Sequence, residues 1–336
     1  MPRVRAAAKA VAAARTPRRA GALDSVAPVD PVVPHTHRRP LGETAEALFP
    51  LILDAAALGR RSADGPDLLE RYAAWGGNGV VVTDTEGSAQ GEEAVGRWLT
   101  GHRDRDRFLL IGRFGASTGS APSPRALVAR VEESLRRLRT DRLDVLALRP
   151  DGAGRLDELL TAAEVLLARG AARAVVASGF SAEELFEARV LAAHGLPRFA
   201  AVEVRYNVLE SAEAEGDVGL VAAGQGLSLL STLPLAHGFL RGAARTRREV
   251  GRLPDGALAL AHLGRRGRRV LAALDAIGSE LSAAPAAVAL AWLLARPGLA
   301  AATVDPSSTA DVDELVRAVS LDLEDGHLAA LDRARR

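Results

Sequence analysis

From residue 50 onward, eight short apolar runs alternate with amphipathic stretches of helical length, and this alternation constrains the fold more than any other feature of the chain. The runs are Leu51–Ala56, Val80–Asp84, Phe108–Phe114, Leu143–Arg149, Arg173–Ser178, Ala200–Asn207, Leu227–Leu233 and Ala300–Val304. Each reads as a strand buried on both faces, as parallel sheets require. Between them, Ser123–Arg139 opens Ser-Pro-Arg, an N-cap followed by proline at the first helical position. Leu127, Val131, Leu135 and Leu138 then recur at helical spacing. Arg155–Arg169 and Ser181–His194 behave alike, and Ser181-Ala-Glu-Glu184 has the capping-box pattern. Arg269–Leu281 and Pro285–Leu294 form a helical pair before the last run. Eight rounds of βα alternation predict an α/β fold closed as a (β/α)8 TIM barrel over residues 40–336. A doubly wound sheet would want a G-x-G-x-x-G turn after its first strand, and none follows Leu51–Ala56.

Composition narrows the chemistry. The chain has no cysteine, which excludes disulfides, thiolate metal sites and cysteine nucleophiles. Lysine occurs once, as Lys9, and tyrosine twice, as Tyr72 and Tyr206. Apart from His35 and His37, no two histidines have metal-site spacing. No apolar run approaches the roughly 20 residues of a membrane span, so a cytoplasmic protein is expected. Residues 1–39 carry a net charge of +6, leaving −5 for the remainder. This basic, Ala- and Pro-rich segment without apolar periodicity reads as a disordered tail. No specific nucleic-acid binding is expected of it.

With Arg39-Pro40-Leu41-Gly42 before the first run, Thr83-Asp84-Thr85 at the end of the second and Ser178 with Phe180 and Ser181 at the end of the fifth, the chain resembles the aldo-keto reductases of the aryl-alcohol dehydrogenase type. Arg39-Pro40-Leu41-Gly42 with Phe49-Pro50-Leu51 is similar to the family's opening. Val81-Val82-Thr83-Asp84-Thr85 and Gly91-Glu92-Glu93 follow, then Glu133-Ser134-Leu135 with Arg137 and Leu138. Ser178 with Phe180 and Ser181, Tyr206-Asn207, Pro234-Leu235-Ala236 with Gly238, and Ala289 to Leu294 continue in family order. The resemblance implies NADPH-dependent reduction of aldehydes and ketones through an Asp, Tyr, Lys, His tetrad. Hydride delivered to a carbonyl carbon leaves an alkoxide that the Tyr protonates; the Lys lowers the phenol's pKa, the Asp holds the Lys, and the His orients the carbonyl.

Measured against that pattern, only Asp84 is retained. The Tyr position falls at Ser88 or Ala89, the Lys position at Arg113 and the His position at Arg149, or, in an alternative alignment, the His is deleted outright. Arginine is not deprotonated in proteins, so neither arginine can be the acid. The resemblance assigns the NADP(H) contacts to Ser178, Glu203, Leu235, Ser307 and Ser308. Glu203 stands for the family's Gln, Gly179 for its Asn, and Ile52 and Asp54 for its glycines after the first strand. Asp305 beside the two serines would repel a phosphate, and Ser307 and Ser308 serve equally as helix caps.

Two arrangements are open for the barrel mouth. Arg113 and Arg149 could converge on a small anionic ligand, since arginine presents a fork suited to carboxylate or phosphate. Alternatively Asp54, Asp84, Glu203 and Arg205 could join them in an ion-pair cluster that fills a retired site. His237 could act as an acid or base, or be a solvated loop residue; Arg245, Arg247, Arg248 and Arg252 could bind phosphates or form a solvated basic loop. The expected function is accordingly an aldo-keto-reductase-like protein without standard carbonyl reductase activity, in a binding, regulatory or repurposed non-redox role that leaves room for a protein partner. The alternative is an NADP(H)-dependent oxidoreductase with an unconventional site.

Overall fold

The computed structural model describes residues 37–60, 65–83, 89–102, 105–115, 123–150 and 156–336. All eight apolar runs become strands: β1 Leu51–Asp54, β2 Gly79–Thr83, β3 Leu109–Gly115, β4 Val145–Arg149, β5 Ala174–Ser178, β6 Phe199–Arg205, β7 Ser228–Thr232 and β8 Leu299–Val304. Neighbours pair in parallel in chain order, and β8 pairs with both β7 and β1, closing the barrel. The first strand is shorter than its apolar run. Asp54 Oδ1 accepts the Ala56 N–H at 2.8 Å, and a helix over Ala55–Arg60 starts at once. The basic segment before residue 37 lies outside the described residues.

Alternation along each strand divides the core in two. Ile52, Val81, Ile111, Ala147, Val176, Ala201, Leu230 and Ala301 meet inside the barrel. The residues between them, such as Leu53, Val82, Leu146 and Val202, join the larger shell under the helices. The N-terminal end of the barrel is closed by a hairpin pairing Arg39–Pro40 with Ala47–Leu48, whose Leu41 and Leu48 are fully buried in the inner cluster. Arg39, counted by charge with the basic segment, is built into this closure and donates to Leu299 O at 2.8 Å and Leu294 O at 2.9 Å. Gly42 is required at the hairpin turn. Its φ is +55°, and a Cβ there would lie 2.2 Å from Ala200 O.

The helix signals act as read. Ser123 accepts the Ala126 N–H at 3.3 Å with Pro124 next to it, and Ser181 and Glu184 form a reciprocal capping box. The helix expected from Arg269 starts earlier, over Arg265–Leu281. Two of the family-like motifs are packing devices. Fully buried Glu92 accepts from the Ser134 hydroxyl and the Arg137 guanidinium, tying the helix Ala89–His102 to Pro124–Leu138. Among the described residues no single helix is long and apolar enough to cross a membrane.

Because the hairpin plugs the inner cluster, Leu41→Ala leaves a void that the closed barrel cannot collapse around. The expected loss is about 2–5 kcal/mol, read as a lower urea midpoint at unchanged m-value.

Candidate functional site

The inward alternation that buries Ile52, Ile111 and Ala201 brings polar residues inward at the C-terminal ends of the same strands. Asp54, Arg113, Ser178, Glu203, Thr232 and Thr303 occupy those ends. This is the end at which barrels of this architecture carry their sites.

Arg113 on β3 and Glu203 on β6 meet across the interior. Arg113 Nε lies 2.8 Å from both carboxylate oxygens of Glu203, and Nη2 lies 2.8 Å from Oε1. A further guanidinium hydrogen bond runs from Nη2 to Thr303 Oγ1 at 3.2 Å. The side chains are 11% and 3% exposed, so the pair is nearly dry and its attraction is little screened. Two positions singled out separately in the sequence, one for the Lys and one for the Gln, therefore form a single unit. Arg149 does not join it. Its side chain is exposed at the end of β4 and makes no hydrogen bond or ion pair with the other described residues. Asp84 and Ser88 lie outside the described residues, while Ala89 opens a helix.

A cleft of about 650 Å³ opens beside Arg113, between the ends of β1, β7 and β8. Its walls include Asp54, Thr232, Leu235, His237, Asp255 and Ser307. Of the residues assigned to the cofactor, Leu235 and Ser307 line it, whereas Glu203 is engaged by Arg113, and Ser178 is buried on β5. Ser308 caps the helix Thr309–Val316, accepting the Asp311 N–H at 3.1 Å. Arg205 is exposed, its guanidinium 3.8 Å from Glu213. In the basic segment, Arg245 pairs with Asp275 at 2.7 Å.

The loop after β7 carries local strain. Leu233, Ala236 and His237 have φ of 52°, 49° and 56°, a left-handed conformation that costs a non-glycine residue about 1–3 kcal/mol. His237, its side chain 12% exposed, has Nδ1 3.4 Å from Asp255 Oδ2. Strain of this kind persists where surrounding structure over-determines it, and here it shapes one wall of the cleft. The sequence reading missed Arg241, Asp255, Thr303 and Asp311. Only Asp311 had a local signal, standing three residues after Ser308 as in a capping box.

Neither tyrosine reaches the mouth. The Tyr72 hydroxyl is buried against Leu51 O at 2.7 Å and Gly79 O at 2.9 Å. Tyr206 bonds Glu215 at 3.0 Å. Burial pushes both phenols up from their ordinary range, and the Glu215 carboxylate adds to this at Tyr206. The described residues contain no lysine.

A model of the aldo/keto reductase family matches residues 61–336, and the chain belongs to that family. It is 28% identical over 251 residues to the aldo-keto reductase ausK of Aspergillus calidoustus, covering 68% of this chain and 62% of that relative. It is 26% identical over 268 residues to the uncharacterized oxidoreductase YrpG of Bacillus subtilis, covering 74% and 80%. With the methylglyoxal reductase YeaE of Escherichia coli it shares 28% identity over 259 residues, covering 76% and 80%.

The family works with a nicotinamide dinucleotide, and the residues present do not fit its phosphorylated form at the far end of the cleft. There, next to the cap of the last barrel helix, a carboxylate of the chain itself already takes the guanidinium and N–H donors. Asp311 accepts from Arg241 Nη1 at 2.5 Å and from the Ser307 N–H at 2.6 Å.

The buried pair sets a stability contrast. Arg113→Ala leaves Glu203 unpaired in a dry site and is expected to cost about 3–5 kcal/mol, most of which returns in Arg113→Met with Glu203→Leu. Arg149→Ala is expected to stay within about 0.5 kcal/mol of the parent. Denaturant melts of the three variants check both.

Proposed function

We propose that this barrel retains the family's fold and cleft as a ligand-binding device, in a regulatory or non-redox setting, and does not perform the phenol-and-ammonium carbonyl reduction. The observation that carries this reading is the bidentate Arg113–Glu203 pair at the positions of the family's Lys and Gln. A guanidinium paired along its Nε–Nη2 edge with a carboxylate has its charge largely offset, and no phenol stands beside it. Loss of a general acid alone costs on the order of 10²–10⁴ in rate. The ligand is a small molecule. The case for an anionic one rests on Arg149, because Arg113 is already neutralised and Asp54, Asp255 and Asp305 line the cleft.

The second reading, an NADP(H)-dependent reductase with an unconventional acid, is favoured by His237, which lines the cleft beside Asp255. An imidazole oriented by a carboxylate is a familiar arrangement for a general acid. One assay separates the two. Purified protein given NADPH and a panel of aliphatic and aromatic aldehydes is expected to turn over far below the roughly 1–10³ s⁻¹ typical of enzymes. Turnover in that range that disappears in Asp84→Asn means the family's own site is at work and overturns the proposal. Turnover that survives Asp84→Asn and disappears in His237→Asn establishes the second reading.

A further inference from the structure

The far end of the cleft, after β8, is where the chain departs furthest from a phosphate-binding surface. Three kinds of donor converge there. Arg241 follows the strained β7 loop, the Ser307 N–H precedes the helix Thr309–Val316, and the Asp311 N–H lies in that helix's first turn. Donors of this sort at a helix start suit an anion, through the partial positive charge of the helix and its unpaired N–H groups. All three are satisfied from within the chain. Asp311 Oδ1 accepts Arg241 Nη1 at 2.5 Å, and Oδ2 accepts the Ser307 N–H at 2.6 Å. The Asp311 N–H goes to Ser308 Oγ at 3.1 Å. Arg241 Nη2 also reaches Asp305 O at 3.3 Å, with Asp305 Oδ1 3.8 Å away. The Asp311 side chain is only 10% exposed and Arg241 23%, while Asp305, Ser307 and Ser308 around them face solvent.

We infer that Asp311 is a built-in counter-anion: its carboxylate fills the seat a ligand phosphate would take, so the cleft selects ligands that carry no phosphate at this end. A phosphate arriving there meets a guanidinium already paired, an N–H already bonded, and two carboxylates that repel it. A ligand that carries no anionic group at this end meets no such barrier. Selection against phosphate follows from the fixed carboxylate in the way that an introduced repulsive group, rather than a new attraction, sets specificity. The inference does not depend on whether the barrel reduces carbonyls, because it concerns what binds and not what turns over.

Inorganic phosphate is the probe, titrated by calorimetry and by thermal melting at constant ionic strength. The parent protein is expected to show no saturable phosphate binding that depends on Arg241. Asp311→Ser frees Arg241 and the Ser307 N–H. Its phosphate dissociation constant is expected to fall at least about tenfold below the parent's limit, with a melting temperature that rises with phosphate, since charge-assisted hydrogen bonds to phosphate are strong. Adding Arg241→Ala should remove the gain. Asp311→Asn keeps a side-chain acceptor for Ser307 and preserves the local shape, and it is expected to shift in the same direction by a smaller factor. Phosphate binding in the parent that vanishes in Arg241→Ala overturns the inference. So does a folded Asp311→Ser protein that binds phosphate no more tightly than the parent.

Discussion

Closing eight parallel strands on themselves confines every inward side chain to one narrow shared space, and most of this molecule follows from that confinement. Water is excluded from most of it, so whatever occupies the space must be apolar or internally paired. Along most of its length the inner cluster uses Ile52, Val81, Ala147, Ala201 and Ala301, and the hairpin residues Leu41 and Leu48 seal its N-terminal end. Only at the C-terminal ends do the inward positions become polar. The Arg113–Glu203 pair, with Thr303, forms the floor of the mouth and sits nearly as dry as the layers beneath it.

That dryness couples the two positions. A lone arginine at 113 or a lone glutamate at 203 would leave a buried charge without a partner, whereas together they satisfy one another. The charged floor is therefore one coupled unit. The same logic recurs at the far end of the cleft, where Arg241, the Ser307 N–H and Asp311 close on one another. The floor and the far end of the cleft thus each pair the chain's own opposite charges.

The barrel was legible in the sequence because a two-faced strand and an amphipathic helix leave local, periodic marks. The eight runs and the Ser123 and Ser181 caps were readable within windows of a few residues. The site was legible only position by position. Arg113 and Glu203 were each identified from their place at a strand end, but nothing local says that they touch. They lie 90 residues apart on strands three places apart around the barrel, so they meet only because closure brings β3 and β6 face to face. Asp255 and Arg241, reached through an irregular loop with three left-handed non-glycine residues, left no periodic mark at all.

The sequence by itself determined the architecture, through periodicity that needs no reference to contacts, and the order of its strand-end motifs carried the resemblance to the family; its composition left one lysine and two tyrosines in the whole chain. Tertiary structure decided which charges remain available. It consumed Arg113 in a pair with Glu203, left Arg149 exposed and unpaired among the described residues, turned Arg241 onto Asp311, and set His237 beside Asp255 in the cleft wall. The reason is physical. Whether a charge can act on a ligand depends on its distance to other charges and on the water around it, and both are fixed only when the barrel closes.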